Sequence, residues 1–279
     1  MSNSSRARAL AKELRAARNE VGLSMRLVGN QLGWSEAKVS RVENAKQGIT
    51  ESDVSAILAV LRVTGSDRDR LLKMAREIGQ PAWWELGRDL PEQLTALIDA
   101  EQRAVRITNV ALNMIPGLLQ TRAYTREVME RGGMPADELD DHISIRQVRQ
   151  GVLTRKDPAS LTAFIDETAL LRPVGNGRVM AEQLRHVVSV SAADNVEIRV
   201  LPLKHGAHAG LSGTFVVYEF VRSRPIVYME GRSSGAFIDD HDDVALFSDA
   251  LERLRAQASG QAASREILSE YQERYESEA

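Results

Sequence analysis

Apolar positions in the first eighty residues recur every three or four places, with polar residues filling the gaps. Leu10, Leu14, Ala17 and Val21 lie at helical spacing, with Arg and Lys on the other faces, which predicts one helix over 5–20. Gly22 ends it, because glycine tolerates positive φ. Ser24 caps a short second helix, Met25 to Leu32, closed by Gly33. Ser35 caps a third, from Glu36 to about Ala45. Thr50 caps a fourth, with Asp53 at the capping-box position ahead of Ile57, Leu58, Val60 and Leu61. Ser66, with Asp69 three residues on, starts a fifth through Leu71, Leu72 and Ala75. The pattern predicts a compact five-helix domain over 1–80.

After Pro81 the pattern changes. Trp83 and Trp84 are expected as packing anchors in an ordered connector. Helices are expected at about 91–106, 121–132 and 135–154. From about 160 the period shortens. The segments Leu161–Ile165, Val196–Leu201, Thr214–Phe220 and Pro225–Glu230 are β-branched or aromatic and partly alternating, as strands are. Val179 to about Ser191 reads as a helix between the first two, and 241 to about 275 as a charged helical segment. The fold expected is therefore α followed by α+β: the helical domain, then a larger α+β domain over 82–279 with a small, mostly antiparallel sheet.

Composition narrows the function. The chain has 279 residues, 43% of them hydrophobic, which suits two cores. It has no cysteine, which excludes disulfides, thiolate zinc sites and cysteine nucleophiles, and fits a cytoplasmic location. No apolar run approaches a membrane span, and Met1–Arg6 lacks the apolar core of a secretory signal. The net charge of −3 looks wrong for a nucleic-acid binder, but its distribution is uneven. Residues 1–50 hold nine Lys or Arg against four Glu, a net +5, while 51–80 balance and the remainder carries −8. A basic head on an acidic body suits phosphate binding by the head alone.

The segment from Arg18 to Lys46 holds two short helices joined by a tight turn at Gly33. Leu27, Val28, Leu32, Val39 and Val42 sit where the pair must bury a shared face, and Gly29 permits close approach near the turn. The second helix then projects its N-terminal half, as a recognition helix does. Three features coincide here: Arg-x-x-x-Gly-Leu-Ser at Arg18 to Ser24, Leu-Gly-x-Ser at Leu32 to Ser35, and Val39-Ser-Arg-Val-Glu-Asn. Residues 8–61 thereby resemble the Xre/Cro-repressor helix-turn-helix family. The resemblance implies that Arg18 and Glu43 form a structural ion pair. It implies base reading by Glu36, Ala37 and Arg41, with Arg26, Ser35, Lys38 and Lys46 on DNA phosphates. Met25 departs from the family, where glutamine commonly helps clamp a phosphate; methionine cannot donate that bond.

The second domain carries Ile115-Pro-Gly-Leu-Leu-Gln-Thr-Arg-Ala-Tyr, Arg146-Gln-x-Arg-Gln, Asp166-Glu-Thr-Ala-Leu-Leu-Arg, Gly213-Thr-Phe and Val227-Tyr-Met-Glu. These resemble the C-terminal domain that follows an Xre module in many actinobacterial, antitoxin-like regulators. The resemblance implies a partner-sensing or dimerising domain, with a homodimer and a small protein encoded nearby as partners. Chemistry finds little purchase in it. His205 and His208 lie in a glycine-rich loop, and the run Asp239–Asp243 sits at an expected helix start. Asp166 and Glu167 would point to opposite faces of a strand, and Glu167, Arg172 and Glu230 are expected as internal polar links. Ser212 and Ser233 lie near glycines without a Gly-x-Ser-x-Gly elbow, and Gly175-Asn-Gly177 reads as a turn. No enzymatic activity, cofactor or metal is expected. The leading expectation is a dimeric, sequence-specific transcriptional regulator of double-stranded DNA, controlled through its second domain. An antitoxin-like neutralising protein with autoregulatory DNA binding, and a small-ligand-gated regulator, stay open.

Overall fold

A computed structural model describes residues 5–79, 91–231 and 235–279. The chain divides into two compact units, Met1–Asp99 and Ala100–Ala279. The expected boundary at 80–82, with Trp83 and Trp84, lies outside the described residues, as does Ser233.

The N-terminal unit holds α1 (Ser5–Glu20), α2 (Met25–Leu32), α3 (Glu36–Glu43), α4 (Glu51–Val60) and α5 (Gly65–Gly79). The caps read from the sequence set the boundaries. Gly22 and Gly33 adopt φ of 67° and 66°, the left-handed region that ends a helix cheaply only at glycine. Ser24 and Ser35 accept the Leu27 and Lys38 N–H groups, each at 3.2 Å. Thr50 and Asp53 cap each other reciprocally, both bonds at 3.1 Å. The core joins Leu10, Leu14, Val28, Val39, Leu58 and Leu61, all at most 2% exposed. Two expected core residues are not there: Val21 is 45% exposed and Leu27 46%. Val21 falls in the turn after α1. Leu27 sits about 100° around the helix from Val28, off the stripe formed by Met25, Val28, Gly29 and Leu32. Helix α3 stops at Glu43, short of the expected Ala45, which takes φ 53°.

The second unit alternates differently. The division between units falls inside α6 (Glu92–Arg103), which ends before the expected 106 because β1 (Arg106–Ala111) begins there. A 3₁₀ turn at Gly117–Leu119 leads to α7 (Arg122–Arg131) and α8 (Ala136–Arg149), which continues into a second 3₁₀ turn at Gln150–Leu153. Then come β2 (Ser160–Asp166), α9 (Thr168–Leu171), α10 (Gly177–Val190) and β3 (Val196–Leu201). Strands β4 (Phe215–Glu219), β5 (Ile226–Glu230) and β6 (Gly235–Ile238) precede α11 (His241–Gln257) and α12 (Gln261–Ser277).

These strands form one six-stranded sheet in the order β3-β2-β1-β4-β5-β6. It is mixed, not mostly antiparallel: β1–β2 and β2–β3 run parallel, and the other pairs antiparallel. Helices explain the difference. Strands β1 and β2 are joined through α7 and α8, and β2 and β3 through α9 and α10. A helical crossover returns the chain to the same end of the sheet, so successive strands run parallel. Only the connections from β4 to β6 are short enough for hairpins. Strand β2, flanked on both edges, is buried along almost its whole length.

One sheet face packs Val110, Phe164, Leu201, Phe215, Val217 and Val227 against Val244 and Leu254 of α11, with Phe215 meeting Phe247 edge-on at 5.0 Å. Helices α10 and α12 pack together, and α12 runs beside the outer edge of β3. There Val200 N–H donates to Ser264 Oγ at 2.9 Å, and Ser259 N–H donates to Val200 O at 2.9 Å. At Val200 the edge strand's backbone is thus satisfied by α12 and the turn before it rather than by another strand.

Candidate nucleic-acid interface

Helices α2 and α3 form the two halves of a helix-turn-helix. The turn depends on Gly29: a Cβ there would lie 2.7 Å from Trp34 O. Gly29 O also accepts the Trp34 N–H at 2.8 Å, so the two backbones are locked at the corner. Arg18 of α1 ties α3 down. Its Nε and Nη2 donate to Glu43 Oε1 and Oε2 at 2.6 and 2.8 Å, and its Nη1 donates to Leu23 O at 2.8 Å. Both residues are buried, at 9% and 8% exposure. The hydrogen bond from Arg18 to Glu43 holds the guanidinium pKa above its ordinary value, outweighing the opposing effect of burial.

With Val39, Val42 and Glu43 turned inward, the opposite side of α3 is left to solvent. Glu36, Ala37 and Arg41 are all exposed there. Arg41 Nε donates to Gln47 Oε1 at 3.0 Å, which fixes the guanidinium while its terminal nitrogens have no partner among the described residues. Ser35 Oγ accepts from Lys38 N and keeps its O–H as a donor. The N–H groups of Glu36 and Ala37 have no acceptor among the described residues, as at any helix start. Lys38 Nζ lies 3.6 Å above the Trp34 ring. Arg26 and Lys46 are exposed. Met25 packs half-buried against the core, so it is an apolar anchor of α2 rather than a group turned to solvent.

Three residues of this surface were not singled out in the sequence. Ser40 and Asn44 fall on the side of α3 that carries Glu36, Ala37 and Arg41, by 100° per residue, and helical spacing would have found them. Asn44 Nδ2 is spent on Ser40 O at 2.7 Å. Gln47 lies past the end of α3, where no periodicity points to it.

The comparisons with known families agree with this geometry. Residues 9–71 match the model of a helix-turn-helix domain, and residues 94–270 match that of a domain of unknown function, DUF5753. The chain belongs to the DUF5753 family. No curated protein and no solved structure matches it. Its N-terminal unit has the fold used by DNA-binding regulators. Among the described residues no helix is long and apolar enough to cross a membrane.

In the DUF5753 unit several of the groups weighed for catalysis or metal binding take part in structural contacts. His208 Nδ1 accepts the Gly210 N–H at 3.1 Å, and its Nε2 lies 2.8 Å from Asp166 Oδ2. Both ring nitrogens are thus hydrogen-bonded within the unit. His205 turns elsewhere, with Nδ1 2.9 Å from Gln257 O. Asp240 caps α11, accepting from Asp242 N and Asp243 N at 3.0 and 3.3 Å. Asn176 caps α10 through Val179 N. No group of three His, Asp or Glu among the described residues could hold a metal. Among the described residues, Glu167 alone of the three expected polar links makes one, accepting from Leu203 N at 2.7 Å and Tyr271 O–H at 2.8 Å. Arg172 and Glu230 are exposed, because each lies where its element runs out to the surface.

The two motifs at 115–124 and 146–150 meet in one polar lattice. Gln120 Nε2 donates to Ile115 O at 2.7 Å, and Gln120 Oε1 receives Arg146 Nη1 at 2.7 Å. Gln150 Nε2 reaches Gln120 O at 2.7 Å and Gly117 O at 3.2 Å. From α10, fully buried Gln183 donates to Leu119 O and accepts from Thr121 N, both at 2.7 Å. These glutamines satisfy the backbone of a buried irregular segment.

Proposed function

We propose that this protein is a sequence-specific transcriptional regulator of the Xre type. It binds double-stranded DNA as a dimer through α3 of each N-terminal unit, and its DUF5753 unit controls that binding. The observation that carries the reading is the outer side of α3. Glu36, Ala37 and Arg41 lie exposed together on a helix whose inner side is fixed by Arg18–Glu43. Arg41 offers its terminal nitrogens to guanine O6 and N7, Glu36 accepts from cytosine N4, and Ala37 meets a thymine methyl. Ser35, Arg26, Lys38, Lys46 and the open N–H groups of α3 take phosphates, which position the helix without reading sequence. One such module buries too little surface for strong specificity, so two act on half-sites about 34–36 Å apart.

Selection of bound duplexes from a random library by the full chain tests this. Two half-sites one helical turn apart are expected, and Arg41→Ala abolishes the preference for them. A footprint unchanged by Arg41→Ala sinks the base-reading assignment. Failure to enrich any sequence sinks specific DNA binding altogether.

A further inference from the structure

Helix α3 ends in a way that bears on the side chains it presents. Ala45 N–H donates to Val42 O at 3.0 Å and Lys46 N–H to Arg41 O at 2.8 Å, the paired bonds of a Schellman turn. The left-handed position of such a turn usually goes to glycine, which has no Cβ to crowd the backbone. Here it goes to Ala45, at φ 53°. Its methyl is 3% exposed and packs with Ala7 and Ala11 of α1. Further on, Ile49 packs half-buried against the main core of the unit. The segment 45–49 is thus fastened at both ends. A non-glycine residue persists at positive φ only where its surroundings enforce it, and such positions cluster at functional sites.

Between the two fastenings lies Gln47. The turn doubles the chain back, so a residue past the end of α3 reaches the outer side of that helix. There Gln47 Oε1 accepts the Arg41 Nε–H at 3.0 Å. Gln47 is half-buried and Arg41 exposed. A guanidinium can offer a guanine two parallel donors in two ways: side-on through Nε and one Nη, or end-on through both Nη groups. With Nε taken by Gln47, the end-on fork is the one left. That fork is also held in place. An unrestrained arginine gives up much rotamer freedom when it binds, and one already fixed gives up less.

We propose, resting on the reading of α3 as the helix that meets DNA, that Gln47 is a positioning residue for base recognition. By accepting the Arg41 Nε–H it presents the end-on fork to guanine O6 and N7, and so sets how sharply G·C is preferred at that base pair. Gln47 acts through Arg41 and not on the base. A guanidinium free to swing turns as readily to a phosphate, which carries no sequence information. A guanidinium held by its Nε keeps both Nη groups for the base edge. Ala45 and Ile49 fix the backbone on which Gln47 stands, which gives the strained φ of Ala45 a use.

The test starts from the duplex that the full chain enriches from a random library. The base pair whose preference disappears in Arg41→Ala is varied to every alternative, and affinities are read by fluorescence anisotropy. The parent chain should prefer G·C there by about tenfold or more. Gln47→Met, similar in length but without the acceptor, should cut that preference to about threefold or less, because the fork is no longer held. Its affinity for a duplex of scrambled sequence and its unfolding midpoint should match the parent's. In the Arg41→Ala background Gln47→Met should change nothing further, as residues acting through one contact require. A parent that enriches a site, with Gln47→Met equally selective, overturns this proposal and leaves the DNA reading intact. So does a further loss in the Arg41→Ala background, which would make Gln47 a reader in its own right. An equal loss on every duplex, or a lowered midpoint, makes Gln47 scaffold and overturns it too. A parent that enriches no duplex overturns the DNA reading, and this proposal with it.

Discussion

In the N-terminal unit, Arg18 spends three nitrogens on two oxygens of Glu43 and the carbonyl of Leu23. In the DUF5753 unit, Arg149 grips Glu101 by the same two-pronged contact, but a second guanidinium, Arg146, stands in the same field. The first set closes on itself: one positive charge, one negative, each guanidinium nitrogen engaged. In the second, the two guanidiniums share one buried carboxylate, Glu101, with Glu230 exposed, and Arg146 Nε is idle. A closed buried pair is scaffold, and in the first unit the polar groups left for work lie outside on α3. In the second unit the idle group sits inside, beside the Gln120 lattice.

The comparison can be broken by removing the carboxylates. The largest effect expected is from Glu101→Ala, which leaves Arg149 and Arg146 together with no buried counter-charge. Its cost should reach or exceed the upper end of about 3–5 kcal/mol, read by urea denaturation. Glu43→Ala strands only Arg18, which keeps Leu23 O, and should cost about 3–4 kcal/mol. The double change Arg18→Met with Glu43→Leu should recover most of that, since an apolar pair of similar volume avoids both desolvation penalties. If Glu43→Ala proves as costly as Glu101→Ala, the second guanidinium at Arg146 carries no energetic weight.

Smaller effects sharpen the other side of the contrast. Gly29→Ala drives a methyl to 2.7 Å from Trp34 O, and backbone must shift. It should cost about 1–3 kcal/mol in thermal unfolding. Lys38→Ala touches only a cation–π contact at the surface. Stability should change by about 0.5 kcal/mol or less, while the slope of log affinity against log salt falls by about one, measured by fluorescence anisotropy on DNA. A large loss of stability in Lys38→Ala would place that lysine in the scaffold instead.

What the sequence discloses follows the same divide. In the first unit each boundary is local: Ser24, Gly33, Ser35 and the Thr50–Asp53 box act within three or four residues, so they can be read along the chain. The inward turn of Arg18 and Glu43, twenty-five residues apart, came through family resemblance rather than spacing. In the second unit the decisive contacts are long-range. Residues 107–111 directly follow the helix expected over about 91–106 and carry no clear alternation of their own, so β1 has no local signal, and neither do the crossovers that make the sheet mixed. Strand β6 is four residues long with half-exposed ends, too short to show a period. The motifs around Gln120 and Arg146 were visible as words, but their bond spans 26 residues. His208 and Asp166, 42 apart, gave no local sign that they would satisfy each other.

Strand β1 has one more consequence, in time rather than space. Its neighbours arrive late: Ser160, opposite Arg106 on β2, follows by about fifty residues, and Glu219 on β4 by 113. At a ribosome pace of about 5–20 residues per second, β1 waits on the order of 5–20 s for its second partner. Helices α1 to α5 pack on one another, α1 against α5 included, so their partners have all been made before β1 and they can settle as they emerge. During synthesis, then, the helix-turn-helix unit is complete while the sheet that follows it is still a single strand. Any nascent chain stalled between 111 and 160 would carry a finished helix-turn-helix without the unit proposed to govern it.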